Sequence, residues 1–418
     1  MEVEKLYQTL NKIFDTHEIH EIGLLPYQNT QPNDDYYPFF FIESNLGIPL
    51  EYVDKLYKYA HGIFMKVRDC GSDGNNETVK LLKDSTRCIV IINTDCYSAL
   101  NARKKLIIDN HINPIKELKF IDLLFTFPKH TKHSTIWFHR KWIIQQHVPS
   151  DDISWQHEID ITRRVAELYP KNYYAWTYRH WILLKISDDS LHSQSFFVDE
   201  LKIMKIWVQK NISDYSGFQH LQRCLIRLSQ YYDNSFSDFY GISRKDILEK
   251  INTKLQNQGL KNKDSDSIVS LWYKEIQFTK DLILRYPGHE SLWYHLRFLS
   301  FVWIWLKLAG YLNNSIGFKF DTDRETDEKS HNSIVKKWPE LENELEFSHY
   351  CIRQIDLTIN QDNDERFESM IIQKQNALAF ELWISELNDR TKFDIKDLIV
   401  KLAEISIDSN YYIVQNNK

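Results

Sequence analysis

The segment Pro170-Lys171-Asn172-Tyr173-Tyr174 sets an ammonium and a phenol side by side in a tight turn. On residue types alone, Lys171 reads first as a solvated surface lysine, and a turn tyrosine such as Tyr173 can simply pack on its neighbour. A second basic cluster, Lys129-His130-Thr131-Lys132-His133, contains two imidazoles at HxxH spacing. A tetrahedral metal needs further ligands and none stands nearby, so this reads as a hydrated basic turn and no metal site is expected. The five cysteines, Cys70, Cys88, Cys96, Cys224 and Cys351, are odd in number and show no CxxC spacing, which points to reduced thiols rather than disulfides or zinc.

Both clusters belong to a recurring pattern. Turns lead into helices whose anchor residues fall at Leu100, Trp137, Trp176, Phe218 and Trp293, with steps of 37, 39, 42 and 75 residues. A period near forty is one helix–turn–helix unit, which cannot bury its apolar face without stacking on neighbours. The 75-residue step is nearly two periods and contains an insertion, residues 231–264. Arg103, Arg140 and Arg179 stand three places after their anchors, one turn along the same face, where a guanidinium can satisfy carbonyls at the preceding helix's end. Phe218 and Trp293 have Leu221 and Leu296 there instead, and His220 and His295 at the second place offer substitute donors. Trp142 and Trp181, five places after their anchors, are expected to fill the next layer. These aromatic residues are first of all core.

The chain has 418 residues, 43% hydrophobic and 14% aromatic, with only 11 Gly and 10 Pro, a composition for long helices rather than many tight turns. A formal charge of −6 argues against nucleic acid as a partner. The start lacks a signal-peptide core and the end lacks a prenylation box. The apolar stretch Leu296–Leu312 is interrupted by Arg297 and Lys307, so it reads as a buried helix, with no stable membrane insertion expected. A cytoplasmic protein is the expectation.

Residues 1–418 are read as one helical-repeat domain. A preface over 1–62 starts with an amphipathic helix near Val3–Phe14, and repeats occupy 80–310. A helical cap follows over 333–418, where Ala377, Phe380, Leu382 and Trp383 mark a degenerate closing unit. Helices are predicted over Val79–Ile92, Ile153–Leu168, Phe197–Val208, Leu341–Ile359 and Glu368–Leu387, with a short one at Ile247–Leu255 and a polar stretch at Phe320–Asn332.

The segment Lys171-Asn172-Tyr173 to Trp176 and Arg179, with its kin Trp137-Phe138-His139-Arg140, resembles the signature repeat of protein prenyltransferase α subunits. The likeness covers roughly residues 90–310. The strings His20–Pro26, Glu43–Gly47, Ser213–Phe218 and Tyr286–Glu290 resemble the branch that works in the third protein geranylgeranyltransferase. The resemblance implies an all-α, right-handed superhelical solenoid of helix–turn–helix prenyltransferase α-subunit repeats, wrapped around a catalytic β subunit of the Rab geranylgeranyltransferase type. It implies an enzyme subunit inactive without that β subunit, which would bring the zinc ion, while this chain binds no cofactor. The lipid donor would be geranylgeranyl diphosphate. The acceptor would be a protein with C-terminal cysteines, already farnesylated, such as a SNARE. By the same resemblance Lys171 and Tyr173 face the departing diphosphate, and Lys129, His130, Lys132 and His133 would add positive potential there. Trp137, Arg140, Trp176, Arg179, Phe218 and Trp293 carry the repeat itself. The alternatives are a non-enzymatic helical-repeat scaffold for partner proteins, or the α subunit of farnesyltransferase or Rab geranylgeranyltransferase.

Overall fold

The structure is a computed structural model that describes residues 3–26, 36–68, 75–189, 193–232, 265–308, 341–359 and 366–390. It divides into two compact units, residues 1–188 and 189–418. The short helix predicted at Ile247–Leu255, the polar stretch at 320–332 and Cys70 lie outside the described residues.

The first unit opens with α1 (Val3–Thr16), whose Leu6, Leu10 and Ile13 fall on one buried stripe. The preface then departs from a purely helical reading, because β1 (Glu21–Leu25), β2 (Phe40–Ile42) and β3 (Asn45–Pro49) form a small sheet in the order β1-β3-β2. β1 runs parallel to β3 with Glu21 opposite Asn45, and β2 pairs antiparallel with Phe40 opposite Gly47. Glu43 and Ser44, at φ 49° and 66°, make the two-residue turn between β2 and β3, the positive angles that a hairpin of right-handed twist demands. Three strands of three to five residues have too few alternations for periodicity to reveal them. The sheet is tied to the helical layer where the Ile22 amide donates to Thr126 Oγ1 at 3.1 Å.

Helices follow: α2 (Leu50–Val67), α3 (Asn76–Ile92), α4 (Tyr97–Ile108), α5 (Pro114–Leu124), α6 (Ser134–His147), α7 (Trp155–Leu168) and α8 (Tyr173–Asp189). Residue 62 therefore falls inside α2. Starts are encoded locally: Asn75 and Asn113 accept from the amides of Thr78 and Lys116, and Pro114 occupies the first turn of α5, where its missing donor costs nothing. Helix α7 begins at Trp155 rather than Ile153 because Ser150–Asp152 form a 3-10 turn and Ser154 caps the helix.

In the second unit α9 (Ser193–Lys210) packs on α10 (Tyr215–Tyr232), and α11 (Ser265–Arg285) on α12 (Glu290–Leu308), with Trp272 Nε1 donating to Ser229 Oγ at 2.9 Å between α10 and α11. Helices α13 (Leu341–Ile359) and α14 (Arg366–Arg390) close the unit. The closing residues behave as expected, with Ala377, Phe380 and Trp383 buried. One residue of α14, Gln373, finishes the last repeat: its Oε1 accepts from the Gly288 amide and from Trp293 Nε1, and its Nε2 donates to the Ile283 carbonyl. The protein is thus of the all-α helical-repeat class, with a small sheet confined to its preface. No helix among the described residues is long and apolar enough to cross a membrane.

Candidate functional site

All five anchors are buried: Leu100, Trp137, Trp176, Phe218 and Trp293. Trp137 stacks on Phe125 with ring centroids 4.2 Å apart and donates through Nε1 to the Thr131 carbonyl at 2.8 Å, so one indole fills the layer and closes its own turn.

The arginines do more than satisfy carbonyls. Arg140 reaches the Leu118 carbonyl and Arg179 the Ile159 carbonyl, but both lie in the helix body rather than at its end. The main partner is a buried carboxylate. Arg140, fully buried, makes two bonds to Glu158 at 2.8 and 2.6 Å and pairs with Asp122 at 2.7 Å. Glu158 accepts a further bond from the Tyr178 hydroxyl at 2.8 Å. Arg103 binds both oxygens of Glu117 at 2.7 and 2.5 Å, and His139 Nε2 meets the same carboxylate at 3.0 Å. In each case a glutamate before one anchor is shared between the third place of the preceding repeat and the second place of its own. Burial pushes the Glu117 carboxyl up, yet the charge and hydrogen bonds of Arg103 and His139 outweigh it and hold the group at about 2. Of the second-place histidines of the second unit, His220 acts as the expected donor, its Nε2 2.7 Å from Glu200, whereas His295 Nε2 stands 3.6 Å from Glu275, too far for a hydrogen bond, and Glu275 pairs with Lys205 at 2.7 Å.

The glutamates were missed by a reading centred on anchors, although a signal exists. Glu117, Glu158, Glu200 and Glu275 stand 20, 18, 18 and 18 residues before Trp137, Trp176, Phe218 and Trp293. A charged residue that keeps step with a buried repeat is a buried charge awaiting a partner.

The turn before α8 is tied to the turn upstream of it. Asn172 is buried; its Oδ1 accepts from the amides of Tyr174 and Ala175, and its Nδ2 donates to the Thr131 carbonyl and hydroxyl at 3.0 and 3.1 Å. Asp214 caps α10 in the same manner through Ser216 and Gly217. Lys171, next to this locked asparagine, has φ 63°, the left-handed conformation that Gly288 adopts at the matching place after Pro287. Lys171 is exposed, with no ion pair or ring partner among the described residues. Tyr173 is 38% exposed and meets Tyr174 edge-on at 5.6 Å. Lys132 lies with Nζ 3.9 Å from the Tyr169 ring centroid, two residues from Lys171, so the upstream turn places its charge beside the second turn.

His130 does not share that surface. It is buried, its Nε2 donates to the Ile91 carbonyl at 2.8 Å, and burial pushes the imidazole down to about 4, so at neutral pH it carries no charge. His133 bonds Thr94 through Nδ1 at 2.7 Å. Hydration thus describes Lys129 and Lys132, which are exposed, and not His130.

The sequence showed no metal set, but the fold brings Glu200, His220 and Cys224 together, with donor atoms within 4.8 Å of one another. The carboxylate–imidazole contact recurs as Glu117–His139 and Glu275–His295 without a cysteine. It is therefore the repeat's own clasp, and Cys224, 3.7 Å from His220 Nε2, is a neighbour of it.

The family model for the protein prenyltransferase alpha subunit repeat matches residues 114–147, 155–186, 197–228 and 272–301, the pairs α5–α6, α7–α8, α9–α10 and α11–α12. The chain thus carries four repeats of the prenyltransferase α-subunit type. The insertion falls between the third and fourth matched repeats. The chain is 28% identical over 383 residues to protein prenyltransferase alpha subunit repeat-containing protein 1 of Homo sapiens, covering 84% of this chain and 90% of that one. Its likeness to the Danio rerio protein of the same name is also 28%, over 72% of each. A more distant similarity, 22% over 34% of this chain and 42% of the other, is to the geranylgeranyl transferase type-2 subunit alpha of Candida albicans.

Proposed function

We propose that this chain is the α subunit of a heterodimeric protein geranylgeranyltransferase of the third type. It would complete a β subunit of the Rab geranylgeranyltransferase type and transfer a geranylgeranyl group to a C-terminal cysteine of a protein already farnesylated, such as a SNARE. One observation carries the reading: Lys171 is exposed on a left-handed backbone next to the buried cap Asn172, with Lys132 on the Tyr169 ring beside it. A cation carried on a turn whose backbone is already held suits the stabilisation of a departing diphosphate. Lys171 would supply the charge and Tyr173 a hydroxyl. Zinc, which would activate the acceptor thiol, belongs to the β subunit in this proposal, and the α chain needs no cofactor of its own.

Co-expression with such a β chain tests the first half, with a stable one-to-one complex as the expected result. Lys171→Ala in that complex tests the second. Loss of one oxyanion-type donor slows chemistry by ~10²–10³, so single-turnover transfer should fall by about that factor while the complex stays intact. Wild-type single-turnover rates in the variant would take Lys171 out of the site.

A further inference from the structure

Carboxylates in the repeats of the first unit are confined almost entirely to one helix of each pair. α4 and α6 contain no acidic residue and α8 has only its final Asp188-Asp189, whereas α5 and α7 hold Glu117, Asp122, Glu158, Asp160 and Glu167. Part of the positive charge of α4, α6 and α8 turns inward to the shared glutamates. The rest forms a second, outward ladder. Lys104 of α4 stands with Nζ 5.3 Å from the ring centroid of Trp142 on α6, and Lys141 of α6 lies 5.0 Å from that of Trp181 on α8. Lys185 follows one turn after Trp181, close enough for its charge to act on Lys141. Trp142 and Trp181 pack against the core as expected but keep part of their surface in solvent, and Phe138, one turn before Trp142, is 65% exposed. None of the three lysines has an ion pair among the described residues.

Partly exposed tryptophans beside cations without an ion pair, next to the exposed Phe138, are what a binding surface keeps and a solvated face does not need. In a chain of net charge −6, three adjacent helices almost free of carboxylates give a local field opposite to that of the whole molecule. We propose that the face formed by Lys104, Trp142, Lys141, Trp181 and Lys185 docks an acidic polypeptide segment, with carboxylates on the ammonium groups and an apolar side chain against Phe138. Single-stranded nucleic acid fits less well, because its bases need open aromatic faces and here lysines already cover Trp142 and Trp181. The inference is independent of prenyl transfer, since Lys171 and Tyr173 take no part in it.

The test uses the purified full-length chain and a fluorescently labelled glutamate-rich peptide with interspersed leucines, followed by polarisation. The same peptide with lysine for glutamate is the control, and a single-stranded oligonucleotide and phosphatidylserine vesicles are the competing probes. The expected result is binding of the acidic peptide alone, weakened by salt and reduced ~10-fold in Lys104→Ala/Lys141→Ala/Lys185→Ala at unchanged helicity, as three partly exposed ion pairs would give. Trp142→Ala, which leaves every charge in place, should weaken it as well. Absence of peptide binding, parental affinity in the triple variant, or tighter binding of the oligonucleotide or vesicles than of the peptide would each overturn the proposal.

Discussion

Replacing Arg140 with leucine tests whether the shared glutamates hold the repeats together. Arg140 is fully buried and makes three bonds to two carboxylates, while Glu158 is 3% exposed and retains only the Tyr178 hydroxyl once the guanidinium is gone. Removing one partner of a buried ion pair costs ~3–5 kcal/mol, because the remaining charge stays desolvated without compensation. For a unit of this size each kcal/mol lowers the melting temperature by ~2–4 °C, so Arg140→Leu should drop it by roughly 6–20 °C. Glu158→Leu should have a comparable effect through Arg140. The double variant removes both charges and should be more stable than the sum of the singles predicts, by at least ~2 kcal/mol. The assay is thermal and urea unfolding of all four proteins, followed by far-ultraviolet circular dichroism and tryptophan fluorescence. A single variant melting within about 2 °C of the parent, or strict additivity in the double, would refute the argument that the pair is coupled and buried.

Glu117 makes a prediction about acid. Its folded value of about 2 lies below its ordinary 4.5, so its stabilisation is fully present above 4.5 and is lost as pH falls from there toward 2. Glu117→Gln should therefore flatten the loss of stability across that window in urea titrations, besides lowering stability at pH 7. Asn172→Ala removes both the cap of α8 and the link to Thr131, and should cost ~1–2 kcal/mol by urea denaturation. Gly288→Ala should destabilise by more than ~1 kcal/mol, since φ is 85° and an added Cβ would lie 2.7 Å from the Ser369 carbonyl oxygen. Lys171→Gly, by contrast, should leave the melting temperature equal or higher while slowing transfer as Lys171→Ala does, which separates the charge from the backbone.

Much of this was legible in the residues. The anchors showed because large rings at a forty-residue period have no other use than packing, and the helices before each turn showed through their 3.6-residue stripes. The sheet did not, because β1, β2 and β3 are too short to alternate visibly. The partner of Arg140 was hidden for a different reason: Glu158 lies 18 residues away, and only the fold decides that it meets a guanidinium rather than water. Of the basic turn, sequence could not tell His130 from His133, since both are histidines in a polar context; the Ile91 carbonyl, 39 residues upstream, draws one of them inside. Lys171 stood out as a lysine in a turn, but its left-handed backbone angle came only with the structure.

The joints between successive hairpins differ in how they are keyed. Between α4 and α5 the key is Arg103–Glu117, and between α6 and α7 it is Arg140–Glu158; both joints are short, 109–113 and 148–154. Between α10 and α11 the arginine position is Leu221, Glu275 turns to Lys205 of α9 instead, and it is here that residues 233–264 intervene. An ion pair across a joint fixes how far apart its two helices can be sewn, so extra sequence enters where the stitch has been dropped. A foreign segment grafted at 233–264 should leave the fold standing, whereas one of the same length placed at 148–154 would have to pull a guanidinium from its carboxylate.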